Sequence, residues 1–202
     1  MSPSTLARTG GGPASVAAGV LLLLGHLANL GGDQDYGTVL GSDLVLAAHA
    51  LLVFALVALY AAQAERGGLL NSLAMVPSVL GTTLNCAAIF GEIAGAAGKD
   101  VNAVLTSGVT GAITLLGGLA FLVGLILLGV AIWRAGMFPR WAGLVLIAGD
   151  VVFAAGTFAG SAAPSVEVAG AALTGAAFAR LGWALLRGAA GRRVGAASPR
   201  PA

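Results

Sequence analysis

Few residues in this sequence can do acid–base or ligand chemistry, and most of them interrupt apolar runs. His26, His49, Asn85, Asp150 and Arg180 each sit among Ala, Gly, Leu, Ile and Val. A charge at the centre of a bilayer costs about 2.5–3.5 kcal/mol on insertion scales, so such residues call for a partner, a cavity or a task. Asp150 is the sharpest case, flanked by Ile147, Ala148, Gly149, Val151 and Val152. One expectation is a buried Asp150–Arg180 ion pair, because both lie at similar depth on consecutive apolar segments; that pair would be structural. The other is that Asp150, or Glu92, acts as a general acid on a lipid-soluble substrate, as in an isoprenoid cyclisation begun by protonation.

Polar residues also recur at helical spacing. Asn71, Ser78, Asn85 and Glu92 repeat every seven residues with Thr82 beside them, and Ser42, His49 and Gln63 mark a second stripe. His26 and Asn29 stand at i and i+3, and Thr106, Thr110 and Thr114 at successive i+4 steps. At 1.5 Å per residue, His26, His49 and Asn85 fall about 8–9 Å below one surface, with Thr106 and Thr110 straddling that level. This predicts a pocket lined by His26, Asn29, His49, Asn85, Thr106 and Thr110. Asp33, Asp35, Tyr36, Asp43 and Glu92 would stand at its mouth. Two imidazoles would make binding pH-sensitive between about pH 5 and 8. The competing expectation is interhelical hydrogen bonding, worth about 0.6 kcal/mol per bond. A third is a bis-histidine haem between His26 and His49. Walker, GxSxG, HExxH, CxxC and EF-hand patterns are absent, and the single Cys86 cannot form an internal disulfide. Neither a metal site nor a cofactor is expected.

The elements that position these groups follow from composition. Of 202 residues, 58% are hydrophobic and 9% charged, with mean hydropathy +0.96, against about 45–50% and 25% in soluble domains. A soluble globular, disordered, collagen-like or disulfide-rich secreted protein is excluded. Charge breaks the apolar sequence into six segments, 14–31, 43–63, 69–91, 104–133, 141–160 and 165–187. Each is near the roughly 20 helical residues that a 30 Å hydrocarbon core requires. The fold class predicted is therefore all-α, a polytopic six-transmembrane-helix bundle at 14–187. A cytoplasmic segment (1–13) would precede it, and a disordered basic cytoplasmic tail (188–202) would follow. The first segment lacks a small-residue cleavage pattern, which argues against a signal peptide.

The flanking arginines, Arg8, Arg66, Arg134, Arg140 and Arg187 with the tail, alternate with acidic connections. Both termini are thereby assigned to the cytoplasmic side of a multi-pass cell-membrane protein. Trp133, Trp141 and Trp183 fall near the same ends, as interfacial anchors do. The tail arginines lack interleaved aromatics, so nucleic acid is not an expected partner. Gly67-Gly68 predicts a tight turn, and Pro77 predicts a kink or a freed carbonyl. The 32 glycines lie mostly within segments and include Gly156-x-x-x-Gly160, a pattern that lets helices approach closely.

Four stretches carry a resemblance: LLLLGHL at 21–27, AAHALL at 47–52, MFPRWAG at 137–143 and LGWALLR at 181–187. In them the chain resembles the small multispan membrane proteins of high-GC Gram-positive bacteria, in the style of domain-of-unknown-function family 4386. The resemblance implies a six-helix bundle and assigns no catalytic residue. Two functional classes stand side by side. The first is a non-enzymatic protein that binds or helps to move a small apolar or amphipathic molecule, or serves as a subunit with membrane-protein partners. The second is the intramembrane enzyme using Asp150 or Glu92.

Overall fold

The computed structural model describes residues 3–33 and 35–196, with side chains described over 10–33 and 35–188. The termini beyond, with Arg200, lie outside the described residues, as do the side chains of Arg8, Arg192 and Arg193. The helices are α1 (Pro3–Asn29), α2 (Val39–Ala96), α3 (Asn102–Thr106), α4 (Gly108–Ala135), α5 (Arg140–Gly156) and α6 (Ala163–Ala196). Among the described residues there is no strand, only an isolated Asp33–Gly37 bridge in the α1–α2 connection.

Helix α2 is a hairpin. Gly68 takes φ 55° and ψ −152° inside its 58 residues, a left-handed φ that glycine alone adopts without strain. The arms on either side, 39–67 and 69–96, fold back on each other. The Tyr60 hydroxyl lies 2.8 Å from Ser78 Oγ, and Asn71 Nδ2 donates to the Tyr60 carbonyl at 3.2 Å. In a straight helix Tyr60 and Ser78 would stand about 27 Å apart. The reversal falls where Gly67-Gly68 predicts it. Pro77 does not break the second arm, whose dihedrals stay helical throughout. Asn71→Ala is expected to destabilise the hairpin by about 0.5–1.5 kcal/mol, because it removes the buried hydrogen bond that ties the two arms together. Unfolding in mixed detergent–SDS micelles measures this.

The long helices pack in chain order and close into a ring. Helix α1 packs on the first arm, α4 on the second, α5 on α4, α6 on α5, and α6 returns to α1. Glycines set these seams. A Cβ on Gly25 would meet Val45 and the Gly41 carbonyl, one on Gly124 the Ser78 backbone, and one on Gly129 the Gly143 carbonyl. On Gly149 it would meet Thr174, and on Gly19 the carbonyl of Gly175. Gly12 and Gly19 on α1 face Gly182 and Gly175 on α6, two antiparallel pairs seven residues apart. Ser15 Oγ donates to the Phe178 carbonyl between them at 2.7 Å. Such contacts let backbones approach where lipid supplies no hydrophobic drive.

Large side chains sit outward as well as inward. Phe54, Leu69, Val76, Phe90, Val109 and Phe158 are all more than 60% exposed, a girdle far beyond the apolar patches of soluble monomers. Four helices are long and apolar enough to cross a membrane, α2 counted once. The protein is an all-α membrane bundle. Leu52, Leu56, Leu59, Leu125, Leu128, Ile132, Leu146, Phe178 and Leu181 are fully buried and fill the half that contains the Gly68 reversal and the α4–α5 turn.

Several segment limits differ from expectation. Helix α1 begins at Pro3 and α6 runs to Ala196, so helix covers part of both predicted terminal segments. The fourth segment is split, because Ser107 is extended and Gly108 has φ 61°; α4 starts four residues later than predicted. The fifth stops at Gly156, where the chain turns through Thr157 into a 3-10 turn at Gly160–Ala162. Gly156-x-x-x-Gly160 is consequently no helix-packing motif: Gly160 lies beyond α5, with φ 55° and open space around it.

Candidate functional site

The half of the ring opposite the leucine core is hollow. A cavity of about 260 Å³ lies on the ring axis, and all six long helical segments reach it. Leu22 and His26 come from α1, Val45 and His49 from the first arm, and Asn85, Ala88, Ile89 and Glu92 from the second. Helix α4 supplies Thr114, Gly118 and Phe121, α5 Asp150 and Phe153, and α6 Ala171 and Thr174. Counted from the nearest helix ends at that side, these positions run from about 5 to about 20 Å below the loops.

The local geometry of the polar groups is specific. His49 is buried, and its Nδ1 lies 2.9 Å from the Val45 carbonyl one turn earlier. A carbonyl only accepts, so Nδ1 carries the proton and Nε2 of the neutral ring is left as an acceptor. Its ring packs on Phe121 at 5.3 Å between centroids, and His26 meets Phe153 edge-on at 4.9 Å. Asp150 is 4% exposed, and its Oδ2 is buried without a hydrogen-bond partner.

The expected Asp150–Arg180 ion pair is not formed. Arg180 lies over the Trp141 ring, 5.9 Å from its centroid, while Asp150 faces the cavity. Equal depth on neighbouring helices did not place the two on facing sides; the guanidinium turns toward the helix ends, where an aromatic face receives it. Arg187 lies similarly over Trp183 at 5.2 Å.

The structure brings together His26, His49, Asn85, Glu92 and Asp150. Glu92, expected at the mouth, is part of the wall. Asn29, Thr106 and Thr110 stand elsewhere. Asn29 Oδ1 accepts from the Thr38 amide at 2.9 Å and ties down the α1–α2 connection, where Thr38 Oγ1 caps α2. Thr106 ends the separate α3, bonded to the Asn102 carbonyl, and Thr110 bonds the Ser107 carbonyl in the first turn of α4; both are exposed. Only Thr114, one turn deeper, reaches the cavity. Thr174, Phe121 and Phe153 were not foreseen. The i+4 threonine series pointed to the correct face of α4, but nothing in the sequence gave the rotation of α5 and α6.

A bis-histidine haem does not fit this site. The space is below the roughly 300–1,000 Å³ of drug-sized ligand sites, and among the described residues no lysine or arginine lines it to receive propionates. Among the described residues no cluster of three or more His, Cys, Asp or Glu could hold a metal ion.

Fold and site together define a small all-α membrane protein with an axial, acid-bearing cavity. Its sequence places it further: the profile of the Domain of unknown function (DUF4386) matches residues 44–188, and the chain belongs to that family. No curated protein and no solved structure matches it.

Proposed function

We propose that the protein binds a small, mostly apolar molecule inside the membrane and holds its polar end in the ring cavity. The observation that carries this is a space of about 260 Å³ to which every long helical segment contributes, apolar except for a few converging polar groups. An engineered 150 Å³ cavity already holds benzene. The volume here suits one ring with a short chain, or a folded chain of similar bulk.

In this reading the chain crosses the bilayer six times, α2 twice. The end bearing Arg66, Arg134, Arg140, Arg187 and the three half-exposed tryptophans faces the cytoplasm, and both termini are on that side. The bilayer is one partner; further membrane-protein partners belong to the same reading. The position of Asp150 in the cavity, rather than on Arg180, favours a second reading. The same pocket would then be an active site in which Asp150 or Glu92 protonates the bound molecule, and turnover of that molecule by purified protein separates the two.

The binding reading is tested by releasing copurified molecules from protein kept in mild detergent and weighing them. Ala171 is nearly fully buried and lines the cavity, so Ala171→Leu puts three more carbons into it and leaves too little room for the bound molecule. The variant is expected to carry at least tenfold less of the copurified species while remaining folded. Wild-type occupancy in the variant would sink the reading.

A further inference from the structure

We infer that the polar end recognised by this cavity is an organic ammonium group; this rests on the cavity being a binding site, as proposed above. Asp150 lines the cavity with 4% of the residue exposed, and its carboxyl oxygen Oδ2 is buried without a partner. His49 has committed its Nδ1 proton to Val45 and keeps an acceptor at Nε2. Glu92 adds a second carboxyl to the same wall. Among the described residues no lysine or arginine lines the cavity, and Arg180, which shares α6 with two wall residues, lies over Trp141 instead.

The wall thus brings two carboxyl groups together with no lysine or arginine among the described residues to pair with them. A fatty carboxylate or a phosphate would give these carboxyls no charge partner and, wherever they ionise, would set like charges side by side in a medium of low dielectric. A wholly apolar ligand would leave the Asp150 oxygen as it stands, unpaired. A primary ammonium carries three donors and one positive charge, sufficient for Asp150, His49 and one more acceptor such as Asn85. Phe121 and Phe153 line the same space, and aromatic faces attract cations. The ligand class is an amine on a compact apolar body.

Three probes of nearly equal size and different charge test this: phenethylammonium, propylbenzene and 3-phenylpropanoate. Each is radiolabelled and dialysed at pH 7 against the full chain in lipid nanodiscs, with empty nanodiscs subtracted. Phenethylammonium is expected to saturate at least tenfold more tightly than propylbenzene, and 3-phenylpropanoate not to saturate. Asp150→Asn should weaken the ammonium at least tenfold and leave propylbenzene unchanged, with Glu92→Gln giving a smaller loss in the same direction. If propylbenzene binds as well as the ammonium, or Asp150→Asn leaves the ammonium unaffected, the ammonium assignment is wrong while the cavity reading stands. If none of the three binds, both are wrong.

Discussion

Asp150→Leu is expected to make the ligand-free protein more stable, by about 1–3 kcal/mol in reversible unfolding from mixed micelles. Asp150 is buried with one carboxyl oxygen unpartnered, and an unsatisfied buried polar group costs on that order. Leucine has a similar reach and no polar atom to desolvate. The sign is the informative part. Were Asp150 the structural partner of Arg180, removing it would strand a buried guanidinium and cost about 3–5 kcal/mol. A gain in stability accompanied by loss of ammonium binding is the pattern of a group kept for function at the expense of the fold. A clear destabilisation would show that Asp150 has a structural partner, and the binding role would fall with it.

Gly19→Leu and Gly175→Leu should each cost about 1–3 kcal/mol or more, as overpacking in a tight core does. A Cβ on either glycine runs into the backbone of the other, so relief requires α1 and α6 to separate. The two substitutions act on one contact, and the double variant should be markedly non-additive. Gly118→Ala, on the cavity wall and away from every seam, is the control for stability alone. Its Cβ meets nothing within 4 Å, and the gain in helix propensity of up to about 1 kcal/mol is its main expected effect. Unfolding in mixed micelles, with monodispersity by size exclusion, distinguishes the three. Equal behaviour of Gly19→Leu and Gly118→Ala would show that the α1–α6 seam is not closely packed.

Much of this architecture was legible because the bilayer imposes it. Apolar length and charge interruption located every long segment, and the seven-residue spacing of Asn71, Ser78, Asn85 and Glu92 chose the inward face of the second arm: Asn71 and Ser78 are buried and the other two line the cavity. His26 and His49 were likewise placed together by depth alone. What counting residues could not supply was rotation. Asp150 and Arg180 have matching depths, yet the turn of each helix about its own axis sends one to the cavity and the other to a tryptophan face. Asn29 looked like a companion of His26, but as a short amide at a helix end it was taken by local backbone donors. Thr106 was lost to the break at Ser107–Gly108, where a positive φ at a glycine starts a new helix; the Ser-Gly dipeptide is the sequence signal for that break.

The seam between α1 and α6 also sets a schedule for biosynthesis. At about 5–20 residues per second, the ribosome finishes α6 on the order of ten seconds after α1. During that interval the small-residue face of α1 has no native partner and must be sheltered by lipid or by the insertion machinery. A nascent chain halted after α5 would already hold both histidines and Asp150, yet it would lack the wall that Ala171 and Thr174 provide. The cavity is therefore the last feature of the bundle to close, and it comes into being with the final helix.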